Sequence, residues 1–500
     1  MSESLERLVR HAHETRVIVI GGGVSGLVAA RECAKVGLEV TVLEAADVLG
    51  GVVRSAEVGG MTLDVGAESF ATRGGVVRDL LDELGLADDV VSPNPAGAWV
   101  AGVPGVGAAP LPKGGVLGIP DNPFAPDVRR VIGWSGAWRA YVDRVRPPLT
   151  IGHAHSLGKL VRSRLGARVL DRLVAPVTSG VYSARPDDID VDLAAPGLNA
   201  ALTRTGSLTG AVAELRARRP QTRPADAPAS DVPVAGSAKA PAPGGAVQGI
   251  VGGMSRLVDA LAAGLRDADV EVRTGVRAER LDRTDDGWAV STSVDDEPLT
   301  ARAVIVALPE GPARQLLAPV VPGLEAGDPI APVVEVVTLV LDAPVLDGAP
   351  RGTGVLTVPG SHVAKALTHS TAKWDWVRDA AAPGVHVVRV SFGAQGEEPA
   401  TTALDDDAAA HLALSEAAAL LGVELPASVL RAAHRVRYVQ SQPAATIGRA
   451  AVTAAARDAV RAVSGLGATG AWLSGTGLAQ VIPDARQEAD RVRSAALWRS

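Results

Sequence analysis

Residues Arg16 to Glu44, RVIVIGGGVSGLVAARECAKVGLEVTVLE, decide the fold of this chain. Val17 to Ile20 is an apolar, β-branched run of the kind that forms a strand buried on both faces. Gly21, Gly23 and Gly26 follow at the G-x-G-x-x-G spacing. In this spacing the first glycine allows a sharp turn, the second lets a pyrophosphate approach the backbone, and the third lets helix and strand pack closely. The pattern predicts a strand–turn–helix unit that binds a dinucleotide.

The residues after the glycine turn support this prediction. A helix from Val24 to about Val36 would direct its N-terminus at the phosphates, where free N–H groups and the helix dipole favour anions. Val40 to Leu43 is predicted to be the next strand, and Glu44 at its end places a carboxylate where the ribose hydroxyls would lie. The alternative is a glycine-rich turn without a ligand, in which Glu44 is an ordinary strand-end acid. The fingerprint does not separate FAD from NAD.

A second glycine turn follows in LGGVVRS, residues 49–55. Gly50 and Gly51 allow another close approach of the backbone, and Arg54 adds a cation three residues on. These features indicate a pyrophosphate held from two sides. The alternative is a plain hairpin turn.

Length and composition set the limits of the chain. It has 500 residues, a formal net charge of −7 and one cysteine, Cys33. Two or three domains are therefore expected, and a nucleic-acid partner is not. Cys33 is interpreted as a packing residue, so a reducing cytoplasm is favoured. Met1 to Thr15 is polar and no long apolar run follows, which predicts neither a signal peptide nor a spanning helix. His153 and His155 are interpreted as solvated, so no metal site is predicted.

Two later regions stand out. Helical periodicity dominates residues 127–217, and one helix carries Trp134, Trp138 and Tyr141 on a single face. We interpret this face as packed on the core; the open alternative is a helix lying in a membrane interface. From Arg216 to Ala246 the composition changes to proline, alanine and small polar residues, which predicts a disordered insertion without chemistry.

Several further motifs resemble those of one family. The chain resembles the flavin-dependent porphyrinogen oxidases, which include coproporphyrinogen III oxidase and protoporphyrinogen oxidase and belong to the amine oxidase superfamily. The coproporphyrinogen branch is the nearer match. The motifs that carry the resemblance are GAESFATR (residues 66–73), LPKGGVLGIP (111–120), VTSGVYSARPDDIDVD (177–192) and GTGLAQVIPDA (475–485).

This resemblance implies an α/β fold (α+β overall) in three parts. They are a discontinuous Rossmann-like FAD-binding domain, a substrate-binding domain with a mixed β-sheet, and a helical subdomain that associates with membranes. The expected ranges are 16–90, 248–312 and 438–500 for the FAD-binding domain, 91–112 and 313–437 for the substrate-binding domain, 113–215 for the helical subdomain and 216–247 for the insertion.

The resemblance also implies which residues contact FAD. Tyr438 is placed near the flavin by a weaker match than the others. The implied contacts, beyond Gly50, Gly51 and Arg54, are Gly21, Gly22, Gly23, Val24, Ser25, Gly26, Glu44, Ala45, Val52, Gly66, Ala67, Glu68, Ser69, Val276, Tyr438, Gly475, Gln480, Val481 and Ile482.

The implied activity is the FAD-dependent oxidation of coproporphyrinogen III to coproporphyrin III in haem biosynthesis, a six-electron reaction that uses O2 and releases three H2O2. The flavin takes a hydride from a bridge carbon, so no protein nucleophile is required. The expected partners are the porphyrinogen, O2 and a downstream haem-pathway enzyme that receives the product. The expected location is the cytoplasm, with a peripheral contact to the inner face of the membrane left open. The open alternatives are a protoporphyrinogen IX oxidase, a flavin amine oxidase and a flavin or porphyrin carrier.

Substrate preference is predicted from charge as well as resemblance. Coproporphyrinogen III carries four propionates and protoporphyrinogen IX two, so the former needs more cations or a solvent-open rim. Arg73 and Lys113 are the predicted substrate-binding residues, and Lys113 lies in a rigid Pro/Gly loop. The helical region adds Arg129, Arg130 and Arg185. Each of these residues is equally consistent with a solvated surface charge.

Overall fold

The computed structural model describes residues 11–146, 154–218, 247–327, 331–440 and 445–498. The chain has a mixed α/β fold built on two large sheets, one of five strands and one of seven. Helices within residues 126–218, here called the helical unit, pack beside the seven-stranded sheet.

The five-stranded sheet is parallel throughout and is assembled from four distant stretches of the chain. Val17 and Val19 face one apolar core while Ile18 and Ile20 face another, which is why the first strand is a continuous apolar run. In spatial order the strands are Glu271–Arg273, Glu39–Leu43, Arg16–Ile20, Ala303–Val306 and Leu466–Ala468. The helices that close the first core are Val24–Ala34, Ser255–Asp267 and Leu478–Trp498.

The seven-stranded sheet is mixed. Its pairs are antiparallel except for Gly354–Thr357 with Ala98–Val103, which run parallel. The helix Asp406–Leu421 covers one face, and Asp405 caps its N-terminus by accepting a hydrogen bond from the Ala408 amide. In spatial order the strands are Leu430–Val439, Val333–Asp342, Val385–Phe392, Ala366–His369, Gly354–Thr357, Ala98–Val103 and Gly107–Pro110. The expected domain boundary at residue 438 falls inside the first of these strands, so Tyr438 lies on this sheet.

The helical unit has its own apolar core, which also takes in the edge of the seven-stranded sheet. Asp143 is fully buried there, forms an ion pair with Arg164 and accepts a hydrogen bond from the Leu208 amide at 2.5 Å. This network ties together three parts of the unit. Its main helices are Pro126–Tyr141, Leu157–Leu165, Ala175–Tyr182, Leu198–Thr205 and Leu208–Arg218.

The interpretation of the aromatic helix face as core is wrong. Trp134 is 62% exposed, Trp138 58% and Tyr141 39%, and all three rings pack around Phe124. The backbone is non-helical at Gly133, and after this kink the buried residues of the helix are small ones such as Ala137. The four rings are called the aromatic cluster below. The spacing correctly predicted that the rings share one face of the helix, but the core packs against another face.

Other expectations changed in detail. The helix Leu208–Arg218 continues past the expected start of the insertion at residue 216, and Arg216 forms an ion pair with Asp121. Residues 219–246 of the insertion lie outside the described residues, as does His153. Ala471–Ser474, just before Gly475, is a short helix.

The remaining elements are shorter pieces around these three parts. Their strands are Ser55–Val58, Met61–Asp64, Phe70–Ala71, Val90–Val91, Gly115–Val116, Ile119–Pro120, Val247–Ile250, Ala278–Arg283, Trp288–Thr292 and Leu299–Ala301. Their helices include Val76–Glu83, Val191–Ala194, Glu310–Leu317, Ser370–Lys373, Asp375–Ala380 and Arg449–Arg461.

Candidate functional site

The three glycines of the first turn serve different purposes. Gly21 has φ +112°, and a Cβ there would lie 2.5 Å from the Ala307 carbonyl oxygen. A Cβ on Gly26 would lie 1.8 Å from the Gly21 carbonyl oxygen. A Cβ on Gly23 would meet no atom of the described residues within 4 Å. The outer two glycines are therefore required by the chain itself, whereas Gly23 faces open space of the kind a pyrophosphate needs.

Glu44 is held beside this turn by two main-chain amides. Its carboxylate accepts hydrogen bonds from the Gly22 N–H at 2.7 Å and the Ala46 N–H at 2.8 Å. A carboxylate has about four lone-pair sites, so it can still accept the two ribose hydroxyls. The Val276 amide donates to the Glu44 carbonyl oxygen at 2.8 Å, which brings this later residue to the same edge. The pair fits the adenosine end of a dinucleotide.

The second glycine turn joins the first. Gly23 and Gly50 form a parallel bridge, and the Gly50 amide donates to the Gly22 carbonyl oxygen at 2.8 Å. Gly51 and Val52 are exposed between the buried residues Gly50 and Val53. The two turns are therefore adjacent, and the binding of a pyrophosphate between them stays a prediction.

Gly66 and Tyr438 connect this space to the seven-stranded sheet. A Cβ on Gly66 would lie 3.0 Å from the Tyr438 hydroxyl oxygen, and that hydroxyl is buried without a hydrogen-bond partner among the described residues. Burial raises the pKa of Tyr438, against the opposing effect of Arg54 and Arg389. A buried hydroxyl without a partner calls for an explanation, and a bound ligand at this point supplies one.

Glu68 anchors the same segment through its side chain. It forms ion pairs with Lys373 at 2.5 Å and with Arg389 at 2.9 Å, and Arg389 also donates to the Gly66 carbonyl oxygen. Burial alone raises the pKa of Glu68, but Lys373 and Arg389 outweigh it and lower the pKa to about 2. The carboxylate is committed to these cations, so a cofactor contact from Glu68 is left to its main chain.

The C-terminal segment closes the site from the other side. Ser25 and Thr469 share a hydrogen bond of 3.0 Å, and Thr469 donates to Asp484 at 2.7 Å. These bonds bring the start of the first helix to the last one, which begins at Leu478. Val481 and Ile482 are buried, and the Val481 amide already donates to the Gly477 carbonyl oxygen at 3.0 Å, so the cofactor contact expected of these two residues stays a prediction. The residues present thus fit an extended dinucleotide.

A cavity of about 360 Å³ lies between the helical unit and the seven-stranded sheet, within the ~300–1,000 Å³ range of small-molecule sites. Its polar lining comes from both sides and includes Ser183, Arg185, Asp187, His362, Lys365 and Gln395. Ser183 lies between Lys365, whose ammonium donates to it at 2.8 Å, and Gln440, whose side-chain oxygen is 3.3 Å away. Gln440 is two residues beyond Tyr438, so this hydrogen bond links the cavity wall to the segment that carries Tyr438.

Arg73 and Lys113, the predicted substrate-binding residues, are exposed and do not line this cavity. The Lys113 amide donates to Asp127 at the start of a helix, 3.0 Å away. Their role stays a prediction. Sequence reasoning missed Lys365 and Gln395, because no motif contains them and the fold alone brings them to Ser183.

The described residues also bear on metal binding and on the crossing of a membrane. No group of three or more His, Cys, Asp or Glu side chains in these residues is arranged to hold a metal ion. None of their helices is both long and apolar enough to cross a membrane.

Comparison with known proteins gives a consistent result. Residues 24–493 match the model of the family described as flavin containing amine oxidoreductase. The chain is 31% identical over 466 residues to a coproporphyrinogen III oxidase of Mycobacterium tuberculosis, covering 92% of this chain and 93% of the relative. It is 29% identical to that of Propionibacterium freudenreichii, covering 97% and 92%. The crystal structure of the "Putative protoporphyrinogen oxidase" of Exiguobacterium sp. 255-15 is similar with a TM-score of 0.79 at 24% identity, over 96% of this chain and 99% of that one.

Proposed function

The chain belongs to the flavin containing amine oxidoreductase family, in its porphyrinogen oxidase branch, and we propose that it oxidises coproporphyrinogen III to coproporphyrin III. It is a flavin oxidoreductase, and its cofactor is FAD. We propose O2 as the acceptor, so that one porphyrinogen and three O2 give one porphyrin and three H2O2. The names of relatives that match over nearly the whole chain support this reading.

The observation that carries the proposal is the position of the cavity. It adjoins Tyr438 through Gln440 and Ser183, and Tyr438 touches the glycine segment that we propose holds the flavin. A macrocycle in the cavity would therefore have its edge beside the cofactor. The cavity walls carry cations from both the helical unit and the sheet, as a substrate with several carboxylates requires.

FAD would be held mainly by main-chain groups. The amides after Gly23 and the second glycine turn would bind the pyrophosphate, Glu44 the ribose, and the start of the helix Leu478–Trp498 the far end. Bound there, FAD supplies the hydride acceptor for a bridge carbon of the macrocycle. The chain contributes binding and orientation: the Gln395 side-chain oxygen, buried without a partner among the described residues, is suited to accept a pyrrole N–H.

Anaerobic flavin reduction tests the proposal directly. The purified holoenzyme is mixed without O2 with coproporphyrinogen III, with protoporphyrinogen IX or with common primary amines, and the flavin absorbance near 450 nm is followed. We expect fast bleaching with the porphyrinogens, a higher kcat/KM for coproporphyrinogen III, and peroxide on admission of O2. A higher kcat/KM for protoporphyrinogen IX would favour that alternative, bleaching by amines alone would favour an amine oxidase, and no bleaching by any compound would favour a carrier.

The aromatic cluster supports one further part of the proposal, a peripheral membrane contact. Trp134, Trp138 and Tyr141 are exposed together, and the Arg129 guanidinium lies 4.2 Å from the Trp134 ring. Exposed aromatic side chains next to arginines are suited to the interface of a membrane with anionic lipids. We expect the wild-type protein to bind vesicles that contain phosphatidylglycerol and not vesicles of pure phosphatidylcholine. The double variant Trp134→Ser/Trp138→Ser should lose this binding, and equal binding by the wild type and the variant would contradict the proposal.

A further inference from the structure

Lys365 is a cation of the cavity wall without a carboxylate partner. It precedes the strand Ala366–His369, and its ammonium donates to the Ser183 hydroxyl at 2.8 Å. It forms no ion pair with any carboxylate of the described residues. Withdrawal of the ammonium from water lowers the pKa of Lys365 to about 8.

The other described lysines are arranged differently. Lys35 pairs with Glu32 at 2.7 Å and Lys373 with Glu68 at 2.5 Å, while Lys113 and Lys159 are exposed. A charge withdrawn from water is costly unless it is paired. Lys365 is therefore a buried ammonium that a bound anion would stabilise.

The group that holds Lys365 is itself constrained. Ser183 has φ +50° and ψ +30°, a conformation that non-glycine residues rarely adopt, and it is buried at the end of the helix Ala175–Tyr182. The Ser183 carbonyl oxygen accepts a hydrogen bond from the main-chain N–H of Gln395 at 2.9 Å. Strained backbone of this kind persists where the surroundings enforce it, and it often marks a ligand site. The Ser183 hydroxyl accepts one hydrogen bond from the Lys365 ammonium, which has two further N–H groups that can bind an anion.

We propose that Lys365 is the carboxylate anchor of the cavity, where its ammonium pairs with one propionate of the porphyrinogen and Ser183 orients it. The proposal rests on the proposed function for the identity of the ligand. Arg185 at the rim is exposed, and Arg162 is paired with Asp171 at 3.6 Å, so neither replaces Lys365 in the interior. Lys365 thereby fixes the orientation of the macrocycle in the cavity.

Substrates with and without carboxylates separate this role from a structural one. Lys365→Met and the control Lys159→Met, an exposed lysine of the helical unit, are compared with coproporphyrinogen III and with octaethylporphyrinogen, which has no carboxylate. For Lys365→Met we expect KM for coproporphyrinogen III to rise by about 10- to 100-fold, as for loss of one charged hydrogen bond, with kcat changed less than about threefold. KM for octaethylporphyrinogen should stay unchanged, and Lys159→Met should match wild type with both.

The outcomes are distinct. Equal KM values of wild type and Lys365→Met for coproporphyrinogen III would overturn the anchor, as would an equal rise for both substrates. If wild type oxidises neither porphyrinogen, the proposed function fails instead. If Lys365→Met does not fold with its flavin, Lys365→Gln keeps a hydrogen bond to Ser183 without charge and must show the same selective loss. Affinity of the wild-type holoenzyme for coproporphyrin III over octaethylporphyrin, read by fluorescence quenching, checks carboxylate recognition without any variant.

Discussion

The two regions that we propose bind ligands use different chemical groups. The glycine turns would bind FAD through main-chain groups, and their residues lie within 35 positions of one another, from Gly21 to Arg54. The cavity would bind the substrate through side chains, and Ser183, Lys365 and Gln395 come from three remote stretches. A site made of main-chain groups requires glycine where the backbone turns or a ligand approaches closely, so it can be recognised in the sequence by the spacing of its glycines. A side-chain site leaves isolated polar residues that only the folded chain brings together.

Within the first region, Gly26 gives the largest expected effect. A Cβ there would lie 1.8 Å from the Gly21 carbonyl oxygen, so Gly26→Ala must displace the first helix from the sheet. We expect a loss of more than about 3 kcal/mol of stability and little soluble protein. Gly264→Ala is the control, because a Cβ there meets nothing within 4 Å. Melting temperature and soluble yield are the measurements, and a Gly26→Ala protein as stable as the control would contradict the packing role.

Gly23 should give the next largest effect, on binding and not on folding. Its φ of −72° and ψ of 171° suit any residue, and the protein leaves its side-chain position open. Gly23→Val should therefore fold, yet lose its FAD because the methyl groups occupy the approach path of the pyrophosphate. Circular dichroism and the flavin content after gel filtration measure the two properties. A yellow Gly23→Val protein would refute the assignment of the turn as the cofactor site.

The fold and the geometry of the first glycine turn followed from the sequence to a large extent. The apolar run Val17 to Ile20 gave the central strand, and the glycine spacing gave the turn, because both depend on neighbours in the chain. The exposure of Trp134 did not follow, since periodicity defines a helix face but not the side on which the core lies. Lys365 was missed because its partner Ser183 is distant in sequence and no local pattern records the pair.

A pH profile sharpens the comparison in the cavity. Burial lowers the pKa of Lys365 from 10.5 to about 8, so its ammonium is charged below pH 8 and loses its charge above it. We expect kcat/KM for coproporphyrinogen III to fall roughly three- to tenfold between about pH 7 and 9, a step that Lys365→Met lacks. The same fall in that variant would assign the step to another group. The other charged or titratable groups that line the cavity are Arg162, Asp171, Arg185, Asp187, His362 and Glu397.

Lys113 should give a smaller effect than Lys365. It is exposed and lies outside the cavity lining, although its loop and charge led to its prediction as a propionate contact. If it anchors a propionate, Lys113→Ala raises KM more than it lowers kcat, and we expect a rise below about threefold. Steady-state kinetics with coproporphyrinogen III measure it. A rise larger than that of Lys365→Met would move the substrate site away from the cavity.

The smallest effect is expected from the insertion. Residues 219–246 are rich in proline and alanine and poor in large apolar residues, a composition from which we predict no role in folding or turnover. Their replacement by a short Gly/Ser linker, with Arg216 and its ion pair to Asp121 retained, should leave flavin content and turnover near wild type. A large loss of either would show that the segment has a function. A second variant, Arg216→Ala, separates loss of the ion pair from loss of the segment.

The scattered origin of the five-stranded sheet has a consequence during synthesis. The first strand and helix leave the ribosome early, but Leu466–Ala468 completes the sheet edge and Leu478–Trp498 covers the first helix at the end of the chain. At ~5–20 residues per second, the gap between Ala34 and Leu478 takes roughly 20–90 s. For that time the first helix lacks its contact with the last helix, which exposes apolar surface to aggregation and to chaperones. We therefore expect FAD to be bound after translation, when the last helix has docked on the first.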